Sequence, residues 1–174
     1  MNDREGDVVS HAGWDVWYPN AFEITTEGVR SFGRATRCWH TPWESLGVPP
    51  LDTPVPATLL AAPMLHAVAA LVAASINSPN MSRILHAGQS YRYDRHPVVG
   101  DRIDIGARIV DRTQRGGADF FTVESGAVVD GVPGVVGTSQ IVYLGDAVEG
   151  PALEDALVEN VMLFGTGPLT QQLA

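Results

Sequence analysis

The sequence predicts an α+β fold: one long apolar helix followed by an antiparallel meander of strands. Three observations predict it. The stretch Pro56 to Ile76 is almost wholly apolar and rich in alanine. Four runs after it alternate at period two and end in turn residues. The 174 residues, 45% hydrophobic and 18% charged, suit a single ordered domain with a real core. A long apolar helix has to be wrapped, and the strands that follow it supply the wrapping.

Along the chain, residues 1–13 read as a polar arm, 14–145 as one domain, and 146–174 as a tail, either mobile or partner-binding. Trp14 to Phe22 (WDVWYPNAF) is aromatic and reads as a first strand or an extended lead-in. Glu23 to Arg37 reads as a helix capped by Thr25 or Thr26, with Val29, Phe32 and Ala35 or Thr36 on its apolar side. Cys38 to Pro54 is a proline-rich loop holding Trp39, His40, Trp43 and Glu44; large aromatics in a loop call for packing onto something. The helix Pro56 to Ile76 ends at Asn77 to Met81. The strand runs are Ile84 to Tyr93, Arg102 to Asp111, Phe120 to Val129 and Gly134 to Leu144. Their connections HPVVGD, RTQRGGAD and DGVPG carry Gly, Pro and Asp, with hairpin tips at Gln114 to Gly117 and Asp130-Gly131. One helix held in such a curved antiparallel sheet is the hot-dog architecture.

Charge and composition exclude several roles. The net charge is −9, and all eleven basic residues are arginine, so no basic stripe exists to displace phosphate counterions or to meet an anionic lipid surface. Nucleic acid and membrane are therefore not expected partners. Val55 to Ile76 is long enough to span a bilayer, but Pro56, Pro63 and His66 interrupt it, and a buried helix is the better reading. The first residues, MNDREGDVVSHAGW, do not read as a leader. A single cysteine, Cys38, fits a reducing cytoplasm. No metal-ligand spacing and no phosphate-cradling glycine loop occur, so no metal or cofactor is expected.

Four segments, YPNAFEITTEGVRSFGRAT, PATLLAAPML, ILHAGQSYRYDRHPVVGDRIDIGARIVD and GTSQIVYL, spread over roughly Tyr18 to Leu144, together resemble the MaoC-like dehydratases, in particular the N-terminal, FAS1-like dehydratase type of hot-dog domain. The resemblance implies an acyl thioester of coenzyme A or acyl carrier protein as substrate. It also implies water added to, or removed from, a (3R)-hydroxyacyl/trans-2-enoyl pair. Such a reaction needs a base for the α-proton, an acid for the hydroxyl and donors for the enolate oxygen. Active relatives carry a loop resembling aspartate-x-asparagine-proline-x-histidine after the first helix. Here that loop reads TRCWHTPWE: the aspartate slot falls near Cys38 or Trp39 and the histidine slot near Trp43. The dyad does not carry over. The departure resembles non-catalytic subunits of heterodimeric (3R)-hydroxyacyl-ACP dehydratases, which hold the acyl chain for a catalytic partner.

Candidate site residues follow, each with its plainer reading. His40 and Glu44 are a rearranged acid/base pair or a local polar pair. Trp39 and Trp43 wall an acyl channel or plug the hole left by the dyad. Pro56, Ala57 and Thr58 match the family's start of the central helix and would meet a thioester carbonyl, or simply cap. His86 and Gln89 match a family strand motif and contact ligand or a neighbouring turn; Tyr91 and Tyr93 share the strand face of Gln89. Arg92, Arg95 and Arg102 meet a phosphate or form a solvated face. His66 on the helix reads as a core histidine rather than a catalytic one. Cys38 as a nucleophile would need a nearby base.

The functional expectation is a subunit of a (3R)-hydroxyacyl-thioester dehydratase or enoyl-thioester hydratase in fatty-acid, polyketide or sterol-type metabolism. It would be the acyl-chain-holding member, in a homodimer or a heterodimer with a related hot-dog protein. A non-enzymatic acyl-thioester binding module is the alternative. A hot-dog thioesterase is a third; the absence of any acid between Pro56 and Ile76 argues against it.

Overall fold

The computed structural model describes residues 13–37, 53, 55–76 and 80–145. Most of the arm, the 38–52 loop with Cys38, Trp39, His40, Trp43 and Glu44, and the tail lie outside the described residues.

Strand β1 (Val16–Glu23) leads into helix α1 (Thr26–Thr36). The chain then forms helix α2 (Ala61–Ala74) and strands β2 (Ile84–Tyr93), β3 (Arg102–Arg115), β4 (Ala118–Val129) and β5 (Val132–Leu144). All five strands form one antiparallel sheet in the order β1-β3-β4-β5-β2. α2 lies across it and packs on β3, β4, β1 and β5. This is the hot-dog arrangement.

Two hairpins build the sheet's centre. Gly116 and Gly117, with φ of +60° and +79°, close β3 onto β4. Asp130 and Gly131, at +51° and +78°, close β4 onto β5. Both central residues at positive φ make the turn whose twist matches that of the strands. β1 shifts register between Tyr18 and Phe22, where Asn20 takes φ +50° and its amide donates to Asp104 Oδ1 at 2.7 Å. Asparagine tolerates this left-handed conformation better than most residues.

Thr25 caps α1 through its hydroxyl, which accepts from the Gly28 amide at 3.0 Å. Val29 and Gly33 are buried on its inner side and Phe32 is partly so, whereas Ala35 and Thr36 are exposed; the apolar side is shorter than the spacing predicts. α2 is also shorter than expected. Residues 57–60 form tight turns instead, with Leu59 N donating to Pro56 O and Ala61 N to Thr58 O. The Ala57 carbonyl, which would accept from Ala61 in a longer helix, accepts from the Tyr93 hydroxyl. At the other end Ser75 terminates the helix, and its carbonyl accepts from Arg112 at 3.2 Å, a cation where the helix dipole favours one.

The core lies between α2 and the sheet. Met64, Ala67, Val68, Leu71 and Val72 meet Ile103, Ile105, Phe121, Val123 and Ile141. Behind the sheet, Trp14 lies in a slot made by paired Gly106 and Gly126. A Cβ at either glycine would come within 2.6 Å of the indole. Arg108 stacks over the same ring at 5.6 Å.

Candidate functional site

Strand β2 positions the chemistry-bearing side chains. Its register with β5 pairs His86 with Ile141, Gln89 with Ser139, Tyr91 with Gly137 and Tyr93 with Val135. Directly opposed residues share a face, so all four point toward the α2 side. A register shift between His86 and Gly88 keeps the alternation in phase with the core on both sides of it. Gln89, Tyr91 and Tyr93 share a face, as the alternation predicts. His86 is on the same face but exposed, near the end of the edge strand.

The inner face there holds a patch of buried polar atoms. Ser125 and Ser139 are 0% exposed, the fully enclosed polar residues of the described core. Their hydroxyls, Gln89 Nε2 and the Tyr91 hydroxyl have no hydrogen-bond partner among the described residues. Register makes them neighbours: Gln89, Ser139 and Val123 form one row, and Tyr91, Gly137 and Ser125 the next. Gly137 keeps the patch tight. A Cβ on it would lie 2.9 Å from Ser125 Oγ and 3.2 Å from Met64 Cε of α2.

Burial, and more weakly the neighbouring Tyr93, push the Tyr91 phenol up to about 12. Gln89 lies close enough to oppose that rise, yet the pair does not reach hydrogen-bond geometry. Tyr91 is thus a neutral donor near neutral pH. Burial also raises Tyr93 and lowers His66, which favours a neutral imidazole on α2. Among the described residues no Asp or Glu is buried, so the patch offers hydrogen bonds but no enclosed carboxylate.

The rim is built from the HPVVGD turn and the residues before α2. Tyr93 donates to Ala57 O, Val55 N donates to Pro97 O at 3.3 Å, and His96 stacks on Tyr93 at 5.4 Å. Asp101 holds this turn: Arg95 meets both its carboxylate oxygens at 3.0 Å, and Val98 N donates to it at 2.9 Å. Arg95 is therefore engaged within the chain, as is exposed Arg92, which pairs with Asp94 at 3.0 Å. Pro56, Ala57 and Thr58 stand just ahead of the first helical residue, and Pro56 has no amide hydrogen to offer. The structure thus brings Ala57 against β2 and puts Gln89 into the polar patch. Ser125 and Ser139 were missed in the sequence. Their signal is there: each is a polar residue at an inward position of an alternating strand, beside Val123 and Ala127 on β4 and Ile141 and Tyr143 on β5.

No group of three metal-ligating side chains occurs among the described residues. No helix among them is long and apolar enough to cross a membrane.

The five-stranded sheet and the helix packed on it define a hot-dog domain. The profile of the FAS1-like, dehydratase domain region matches residues 10–135, and the chain belongs to that family. No curated protein matches the chain in sequence. Among solved structures it is similar to a C-terminally truncated HadBC (3R-hydroxyacyl-ACP dehydratase) complex from Mycobacterium tuberculosis. That match has 19% identity and a TM-score of 0.57, covering 74% of this chain and 93% of that one. It is similar to a MaoC-like dehydratase at 18% identity and a TM-score of 0.61, covering 75% of this chain and 42% of that one. It is also similar to the R-hydratase PhaJ1 from Pseudomonas aeruginosa at 14% identity and a TM-score of 0.52, covering 80% and 88%. At these identities the likeness is one of fold.

Proposed function

We propose that this chain is the acyl-holding subunit of a (3R)-hydroxyacyl-thioester dehydratase or enoyl-thioester hydratase, working beside a related hot-dog chain that carries the Asp/His dyad. The observation that carries this reading is the inner polar patch of Gln89, Tyr91, Ser125 and Ser139, which supplies donors and acceptors without a buried acid among the described residues. Hydration across a carbon–carbon double bond needs a base and an acid. The TRCWHTPWE loop, with Cys38-Trp39 and Trp43 in the family's Asp and His slots, supplies neither in the usual place. Trp39, Trp43, the Pro56 to Thr58 turn, His86 and Gln89 would then border the acyl thioester, and His40 and Glu44 would form a local polar pair.

Two features support a partner. α2 is apolar all round, yet the sheet covers one side of it; Leu65, His66 and Ala73 remain partly exposed and Ala62 exposed. Strand β2 is an edge of the sheet, with Leu85, His86 and Ala87 exposed. A second hot-dog chain adding its strand along β2 would extend the sheet. HadBC, which shares the fold, is a complex of this kind of enzyme.

The test is hydration of an enoyl thioester by the purified chain, alone and with a co-expressed MaoC-like protein. The reading predicts silence alone and activity in the pair. Activity of the chain alone, lost in His40→Ala, would make His40 part of a relocated dyad and overturn the holding role. Silence in both, with acyl-thioester binding retained, would leave a binding module.

A further inference from the structure

The inner polar patch narrows the class of acyl group that this chain holds. α2 packs chiefly on β3 and β4 and only lightly on β5. The inner face at β5 and β2 therefore runs out beyond the helix toward the sheet edge. Gln89, Tyr91 and Tyr93 lie there and are half-buried. A residue of this kind at an edge normally keeps its polar end in water. Here the reverse holds: part of each side chain is exposed, yet Gln89 Nε2 and the Tyr91 hydroxyl are enclosed. They share register rows with Ser139 and Ser125, both 0% exposed. A Cβ on Gly137 would lie 3.0 Å from Tyr91 Cε1 and 2.9 Å from Ser125 Oγ, so ring and hydroxyl approach each other over that glycine.

All four groups can donate a hydrogen bond, and none has a partner among the described residues. Buried donors left unpaired cost stability, and folded proteins keep few of them. Four on one patch call for a bound acceptor. No charged residue is buried among the described ones, so the patch has nothing to neutralise an ion. The group it fits is a neutral oxygen, that of a ketone or a hydroxyl. A thioester carbonyl placed at Pro56 to Thr58 would lie near Tyr93, which bonds Ala57 O. Tyr91 and Gln89 stand further along β2, ~7 and ~13 Å from Tyr93. A chain that enters at that turn and follows β2 brings its distal part to the patch. Met64 of α2 bounds the row above Gly137, and its flexible thioether adapts to what lies beside it.

We propose that Gln89, Tyr91, Ser125 and Ser139 bind a neutral keto or hydroxyl oxygen on the distal part of the acyl chain, so that the preferred thioesters are oxygen-bearing rather than plain fatty ones. The inference rests on the acyl-holding reading above and names its substrate class. A plain hydrocarbon chain laid here leaves the buried donors unpaired, and a site built to bond an oxygen discriminates strongly against the analogue that lacks it.

Calorimetric titration of the full chain, co-expressed with a MaoC-like protein, tests this. The probes are decanoyl-CoA and decanoyl-CoA carrying one keto or hydroxyl group at successive carbons of its distal half. The expected result is that, at one position, the oxygen-bearing thioester binds about tenfold or more tighter than decanoyl-CoA. Gln89→Leu and Ser139→Ala should each shrink that gap several-fold; Gln89 is half-buried, so its replacement does not empty the core. Equal affinity for all the thioesters would overturn the proposal and leave the acyl-holding reading in place. No binding of any of them would overturn both. A preference that persists in both variants would put the oxygen elsewhere and overturn the proposal. So would an equal loss of affinity for plain and oxygen-bearing thioesters, since the patch would then hold the thioester head.

Discussion

The hydroxyl of Tyr93, near the end of β2, donates a hydrogen bond to the carbonyl of Ala57, in the turn that leads into α2. One side chain thereby ties the edge strand to the approach of the central helix, 36 residues away in sequence. The same ring stacks on His96. The edge strand, the HPVVGD turn and the helix approach thus form one unit at the rim of the polar patch.

Tyr93→Phe removes this donor and leaves the Ala57 carbonyl unpaired. A loss of about 1 kcal/mol is expected, which for a chain of this size lowers Tm by ~2–4 °C. Thermal unfolding followed by circular dichroism checks it. An unchanged Tm would show that the bond contributes nothing to stability.

Ser139→Ala should behave in the opposite way. Its hydroxyl is buried without a partner among the described residues, so removing it relieves a desolvation cost. Stability should stay level or rise in urea unfolding. If the patch holds the acyl thioester, affinity of the paired complex should fall several-fold. A marked loss of stability would mean that Ser139 has a structural partner.

Gly106→Ala forces a methyl group to within 2.5 Å of the Trp14 ring. The indole has to leave its slot, at a cost of ~1–3 kcal/mol. Tryptophan emission should shift to the red and Tm should fall. A normal Tm with unshifted emission would show that the slot yields without displacing the ring.

Two half-buried groups shape the pH response. Tyr91 is raised to about 12, so its contribution to stability is intact below pH 10 and lost as pH rises toward 12. His66 is lowered by burial, so its contribution is present above the ordinary histidine value and lost as pH falls below it. Urea midpoints measured across both ranges should decline at each end. Tyr91→Phe should flatten the alkaline limb and His66→Gln the acid limb; a limb unchanged by its substitution would assign that titration to another group.

Local rules made much of the architecture legible. Ile84 to Tyr93 reads as a strand from alternation alone, and β2 has those bounds. Asp130-Gly131 announces its turn because few other pairs accept two positive φ values. Thr25 announces a helix cap through its oxygen. The hot-dog class follows from one apolar helix and four strands that follow it, since a sheet formed by those strands is the cover nearest to hand in the same chain.

The sequence by itself therefore determined the order of helices and strands, the shared face of Gln89, Tyr91 and Tyr93, and the resemblance to dehydratases. Tertiary structure decided where α2 begins, because the Ala57 carbonyl is claimed by Tyr93 on a strand that alternation cannot place in space. It also decided that Gln89, Tyr91, Ser125 and Ser139 form one patch: they come from three strands, and only register makes them neighbours. Gly106 and Gly126 make a slot for Trp14 only because the β3–β4 register sets them side by side. Periodicity reports which face a residue takes; which residues meet on that face is settled by contacts distant in sequence.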